Sequence, residues 1–196
     1  IYLPNAIRLC SKGMIKCQKK IYHLIDDFRY LPGAPNCFNY YNKEVLNSCD
    51  IVITPSEVIA EKINLKKCIL IHHGYKSYKI KKFEKYTPYY LKEQKNIIYY
   101  GQFSKVDMKF ALKVISKLRD YNFIFIGRGQ ISINIDKNKY KNVNIIESIP
   151  HEKLMNLLNY SLLLWCPFKV NNLTNRMTPI KFVEALSFGL PILSTK

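Results

Sequence analysis

At 196 residues, 48% of them apolar and only seven of them glycine, the chain has room for one large domain or two small ones with a substantial core, and its composition excludes disorder. No apolar run approaches the roughly 18 residues of a membrane-spanning helix; the longest obvious one, Ser161 to Phe168, is strand-sized. The formal charge of +17 implies attraction to something anionic, whether nucleic acid, acidic lipid headgroups or a phosphorylated substrate, and charge alone does not choose among them.

Ile1 to Lys20 is basic and mixed, with helical character from Ala6 to Lys19. It opens without a charged-then-apolar leader and without Met, which reads as a piece whose natural start lies earlier. Ile21-Tyr22-His23-Leu24-Ile25 has the composition of a buried strand, with His23 in its core and Asp26-Asp27 at its carboxyl end. Ligands of open α/β sheets gather beyond strand carboxyl ends, so the two aspartates are candidates for substrate contact; equally, either could cap the following turn. After a Pro/Gly loop, Tyr40 to Ser48 reads as a helix, Ile51 to Thr54 as a strand, Glu57 to Ile63 as a helix capped by Ser56, and Cys68 to His72 as a strand closed by His73-Gly74. Continuous apolar strands alternating with helices point to a parallel sheet covered on both faces.

From Tyr75 to Lys95 seven lysines alternate with five tyrosines and aliphatic periodicity disappears. This is the expected domain boundary. Lysines can meet phosphates while tyrosines stack on bases, but no RNA-binding motif accompanies the stretch, and a linker or a membrane-surface patch fits it better than nucleic acid. A second alternating series follows: strand Asn96 to Tyr100, helix Val106 to Leu118, strand Phe123 to Ile126, strand Val143 to Ile146, helix Glu152 to Tyr160 and strand Leu162 to Trp165. Gly101 and Gly127 end two of these strands, where a diphosphate could approach the backbone closely. Gly127-x-Gly129 falls short of a dinucleotide fingerprint.

The series closes with Thr178-Pro179 opening a helix, Lys181 and Glu184 on one face of it, Gly189 ending it, and an apolar strand from Pro191. Thr178 is the expected N-cap and Pro179 the first helical residue. A helix N-terminus beside a lysine suits a phosphate and a carboxylate farther along suits sugar hydroxyls; the plainer reading is an amphipathic helix with one i,i+3 ion pair. His72 and His73, at a strand end beside the expected interdomain cleft, rank above His23 and His151 for substrate contact. The six cysteines stand singly without zinc spacing, which fits a reducing cytosol.

The ordered landmarks Pro150-His151-Glu152, Pro167-Phe168, Asn172-Leu173-Thr174 and Pro179-x-Lys181-x-x-Glu184-Ala185-Leu186-x-x-Gly189-x-Pro191 resemble the donor-binding domain of GT-B-fold "group 1" glycosyltransferases, and Tyr22 to Phe28, Thr54-Pro55-Ser56 and Ile71 to Gly74 are similar to the end of that family's acceptor domain. The resemblance implies two Rossmann-like doubly wound parallel-sheet domains of α/β class, both incomplete: residues 1–74 as the acceptor side, 75–95 as a linker and 96–196 as the donor side. It implies transfer of a sugar from a nucleotide-sugar to a sugar or lipid-linked acceptor in cell-surface glycan synthesis, with retention, without a metal or other cofactor, in the cytoplasm and at an anionic membrane face. Glu184 and Lys181 are then the candidate catalytic residues, Gly101, Gln102, Lys105, Gly127, Thr178, Pro179, Lys181 and Glu184 the donor-binding set, and Asp26, Asp27, His72 and His73 the acceptor-side set. The family's Glu-x7-Glu pair keeps its second member in Glu184, while Arg176 stands at the first; Gln102 stands where relatives carry a diphosphate-gripping Arg. A sugar-nucleotide epimerase of the same fold and a non-enzymatic nucleic-acid or lipid-binding module are the alternatives.

Overall fold

A computed structural model describes residues 18–31, 33–63, 68–74, 95–129, 131 and 134–195. The expected helix at Ala6 to Lys19 and the Lys/Tyr-rich stretch from Tyr75 lie outside the described residues but for their last few positions. The chain divides into two compact units, Ile1–His73 with Asn171–Thr178, and Gly74–Val170 with Pro179–Lys196.

The first unit carries a parallel sheet of β1 (Ile21–His23), β2 (Ile51–Thr54) and β3 (Cys68–Leu70), in that order. The β-branched run of β2 makes it the central strand, with Val52 fully buried. Helices α1 (Phe38–Ser48) and α2 (Glu57–Ile63) connect the strands, and Ser56 caps α2 by accepting from the Ile59 N–H at 3.3 Å. Tyr22, Leu24, Phe38, Val45, Cys49, Val52 and Ile59 form one core cluster. His23 departs from expectation: β1 stops there and alternates, so Tyr22 points inward and His23 is exposed.

Asn171–Thr178, which the sequence runs together with the second domain, groups with the first unit. Its hydrogen bonds give the reason. Ser56 Oγ donates to the Arg176 carbonyl at 2.6 Å, and Thr178 Oγ1 donates to the Pro55 carbonyl at 3.2 Å.

The second unit is a five-stranded parallel sheet of β4 (Lys95–Gln102), β5 (Tyr121–Arg128), β6 (Val143–Glu147), β7 (Ser161–Cys166) and β8 (Ile192–Ser194), in the order β6-β5-β4-β7-β8. Helices α3 (Met108–Ile115), α4 (His151–Leu158) and α5 (Ile180–Ser187) alternate with the strands. Asp107 caps α3 by accepting from the Phe110 N–H. Ile97–Tyr100 and Phe123–Ile126 are buried without a break, the pattern of strands covered on both faces. The amino-terminal ends are tied by amides: Asn144 donates to Asn122, Asn122 to Asn96 and Asn96 to the Tyr160 carbonyl, at 2.7, 2.8 and 2.8 Å. Among the described residues no helix is long and apolar enough to cross a membrane.

Candidate functional site

The strand order of the second unit defines where a site can form. From β4 the chain steps outward through β5 to β6, then returns to the other side of β4 to lay down β7 and β8. The reversal between β4 and β7 is a topological switch point, and the crevice beyond the strand carboxyl ends there is where such sheets take ligands.

Lys181 reaches this place from the first turn of α5. Its ammonium donates to the Tyr100 carbonyl and lies 4.4 Å, 5.3 Å and 5.4 Å from the ring centroids of Tyr99, Phe168 and Tyr100. Aromatic faces compensate part of the lost hydration. Burial nevertheless pushes its pKa down to about 8; nearby Lys105 adds to the depression, while Cys166 and Glu184 oppose it. Burial likewise raises the Cys166 thiol to about 11.

Glu184 follows three residues on, the helical spacing that puts it on the same face as Lys181. The Tyr100 hydroxyl donates to its Oε2 at 2.9 Å, and His151 Nε2 lies 2.7 Å from its Oε1. With Glu184 ionised, that second contact places the imidazole hydrogen on Nε2. The carboxylate is 12% exposed and the imidazole 49%. The Tyr100 hydroxyl is raised well above the usual phenol range by burial and then by the Glu184 charge, so it stays a donor. Both carboxylate oxygens keep a free lone pair after these contacts.

Beside this group a pocket of about 230 Å³ is lined by Tyr100, Gly101, Gln102, Ile126, Gly127, Arg128, Ser148, Ile149 and Leu154. The sequence-derived donor set is thus partly gathered: Gly101, Gln102 and Gly127 share this pocket with Tyr100, which is not in that set, and Lys181 lies against Gly101. Lys105 sits in a 3-10 turn, Phe103–Lys105.

Other candidates have different places. Thr178 is not the cap of α5; the cap position is Pro179, in extended conformation and without a side-chain bond, because the Thr178 hydroxyl is spent on Pro55. Asp27 does not cap its turn through its side chain either. Both oxygens accept from Arg29 at 2.7 Å, and Arg176 Nε lies 3.8 Å from Oδ2. Arg176 also stacks over Tyr30 at 4.3 Å. Asp26 and His73 are half-buried and His72 is exposed. Among the described residues no group of three or more His, Cys, Asp or Glu side chains is placed to hold a metal ion.

Sequence reasoning gave His151 low rank and did not single out Tyr100. A tyrosine and a histidine 51 positions apart in the chain carry no spacing signal; only the register that puts the end of β4 beside α5, and α4 within reach of both, makes them one group.

No family model and no curated protein matches the sequence. Among solved structures the chain is similar to a UDP-N-acetylglucosamine 2-epimerase, at 12% identity and a TM-score of 0.46, the match covering 98% of this chain and 59% of that one. The chain therefore spans less than two thirds of that enzyme's length.

Proposed function

We propose that the second unit binds the nucleotide part of a nucleotide-sugar and that the chain belongs to a glycosyltransferase acting on a sugar or lipid-linked acceptor. The observation that carries this reading is the Glu184 carboxylate, fixed by the Tyr100 hydroxyl at a switch point of a parallel sheet with acceptor lone pairs to spare. A carboxylate so held suits the paired hydroxyls of a ribose. Lys181 supplies positive charge beside Gly101, near the carboxyl end of β4, and acts on a diphosphate as a charge placed at the strand end. Breaking a sugar–phosphate bond builds negative charge on the departing diphosphate, and a preorganised charge in a partly dry site stabilises it by several kcal/mol, on the order seen for one oxyanion donor.

A sugar-nucleotide epimerase is the second reading, favoured by the His151–Glu184 contact, which puts a proton-transfer group beside the carboxylate. The two readings differ in what the donor does alone. A transferase leaves the sugar configuration unchanged and releases nucleoside diphosphate when acceptor is added; an epimerase interconverts the sugar without acceptor and loses this in His151→Gln.

Calorimetric titration with UDP, GDP and ADP at moderate salt tests the shared premise. One nucleotide is expected to bind saturably and to lose about tenfold in Glu184→Ala, the scale of one charge-assisted hydrogen bond. Lys181→Met should weaken the diphosphate more than the nucleoside. Unchanged affinity in Glu184→Ala removes the ribose role.

A further inference from the structure

The first unit holds a cavity of about 440 Å³, lined among the described residues by Arg29, Tyr30, Asn39, Asn42, Lys43 and Leu46. The last four lie at i, i+3, i+4 and i+7 of α1, so one face of that helix forms a wall. Arg29 and Tyr30, in the 3-10 turn that follows β1, form the facing one. We infer that this cavity binds a sugar-sized ligand carrying an anionic group, a phosphorylated or carboxylated sugar; the inference does not rest on the nucleotide site of the second unit.

Asn42 gives the strongest indication. It is only 7% exposed, and its Oδ1 accepts from the buried Tyr22 hydroxyl at 2.8 Å. That bond fixes the amide: the oxygen is spent inside the core, and the Nδ2 end is what Asn42 offers the cavity. Among the described residues the amide nitrogen takes no protein acceptor and is open to the cavity, so its two N–H donors are available to an acceptor bound there. Charge selects the kind of acceptor. Arg29 uses Nε and one terminal nitrogen on Asp27, leaving its other terminal nitrogen free of that pair. Asp27 is shared between Arg29 and Arg176, so one carboxylate meets two guanidiniums, and Lys43 adds a further positive charge to the cavity lining. Among the described residues no acidic side chain lines the cavity, and the next carboxylate on α1, Glu44, is hydrogen-bonded to Tyr40. Unspent donors with surplus positive charge bind an oxyanion through charge-assisted bonds. Its volume falls within the roughly 300–1,000 Å³ of small-molecule sites, which leaves room for a sugar ring beside the anionic group. Asn39, Tyr30 and Leu46 provide mixed polar and apolar walls for a hydroxylated ring.

The test is a calorimetric titration of the whole chain with glucose 6-phosphate, glucuronate and glucose at low salt. At least one acid sugar is expected to saturate a single site about tenfold more tightly than glucose, the scale of a charged hydrogen bond. The tighter of the two names the anionic group. Asn42→Asp, which turns the free donor into a negative acceptor, and Lys43→Glu, on an exposed position where folding is not at stake, should each weaken that binding about tenfold or more. Glucose binding as tightly as both acids overturns the proposal. So does acid-sugar affinity that is unchanged in Lys43→Glu or is lost in Lys181→Met, which would put the site in the second unit.

Discussion

The carbonyl oxygen of Gly101 occupies the space that a side chain on Gly127 would need. The two are register partners on β4 and β5. Gly101 itself stands at φ +134°, a conformation other residues rarely adopt, and Lys181 Nζ lies 2.6 Å from where its Cβ would be. The room these glycines provide at the strand carboxyl ends is used within the protein, by a backbone carbonyl and an ammonium.

Gly127→Ala must move backbone, and it is expected to cost about 3 kcal/mol or more in urea unfolding, at the upper end of overpacking effects. Gly101→Ala carries about 1–3 kcal/mol of backbone strain plus a contact with the flexible tip of Lys181. Combining Gly101→Ala with Lys181→Ala should therefore recover part of the loss, while the same background should not rescue Gly127→Ala. Wild-type stability in Gly127→Ala would refute the close approach.

Lys181 makes stability depend on pH with a definite sign. Its pKa falls from an unfolded value near 10.5 to about 8 in the fold, so between those values the unfolded chain binds more protons and stability rises with pH. Below pH 8 the full penalty applies, about 3 kcal/mol as an upper scale. The raised Cys166 thiol and the buried tyrosines act oppositely at higher pH. Subtracting Lys181→Met from wild type isolates the lysine. The difference should favour the variant at pH 7 and shrink between pH 8 and 10.5; a flat difference would mean the ammonium is not desolvated.

The alternation of apolar strands and helices was enough to read a parallel α/β fold, because strands such as Phe123–Ile126 are apolar throughout and their ends are marked by Gly, Asn or Asp. Lys181 and Glu184 were legible as a pair because helical spacing is local. His151, Tyr100 and the three asparagines were not, since their partners lie far along the chain and depend on strand order. Thr178 shows the reverse failure. A threonine before a proline is a good local cap signal, and here a tertiary partner, the Pro55 carbonyl, took the hydroxyl instead.

Asn122 lies in the middle of the amide chain across β6, β5 and β4 and is 5% exposed. Asn122→Leu leaves Asn144 without its acceptor and Asn96 without its donor. A loss of about 2–4 kcal/mol is expected, from two groups at roughly 1–3 kcal/mol each with partial relief by water at the half-buried Asn144. Because these amides sit at the amino-terminal ends of the strands and the proposed site at the other, nucleotide affinity of the folded variant should match wild type. An affinity loss without a stability loss would contradict this division.

Asp27 separates a structural carboxylate from a reactive one. Its side chain is 7% exposed and holds Arg29 and, at longer range, Arg176, whose own side chain is 13% exposed and whose Nε has no hydrogen-bond partner. Asp27→Asn leaves two guanidiniums without a counter-charge and is expected to cost about 3–5 kcal/mol, as for breaking a buried pair from one side. Arg176→Leu should cost less, because Asp27 keeps its two-bond pair with Arg29 and the apolar side chain can pack on Tyr30. In the double variant Asp27→Asn/Arg176→Leu the losses should fall short of their sum, since one unpaired charge has been removed. Strict additivity would mean that Arg176 is held by its stacking on Tyr30 alone, and Asp27→Asn with full stability but no turnover would return Asp27 to the list of reactive groups.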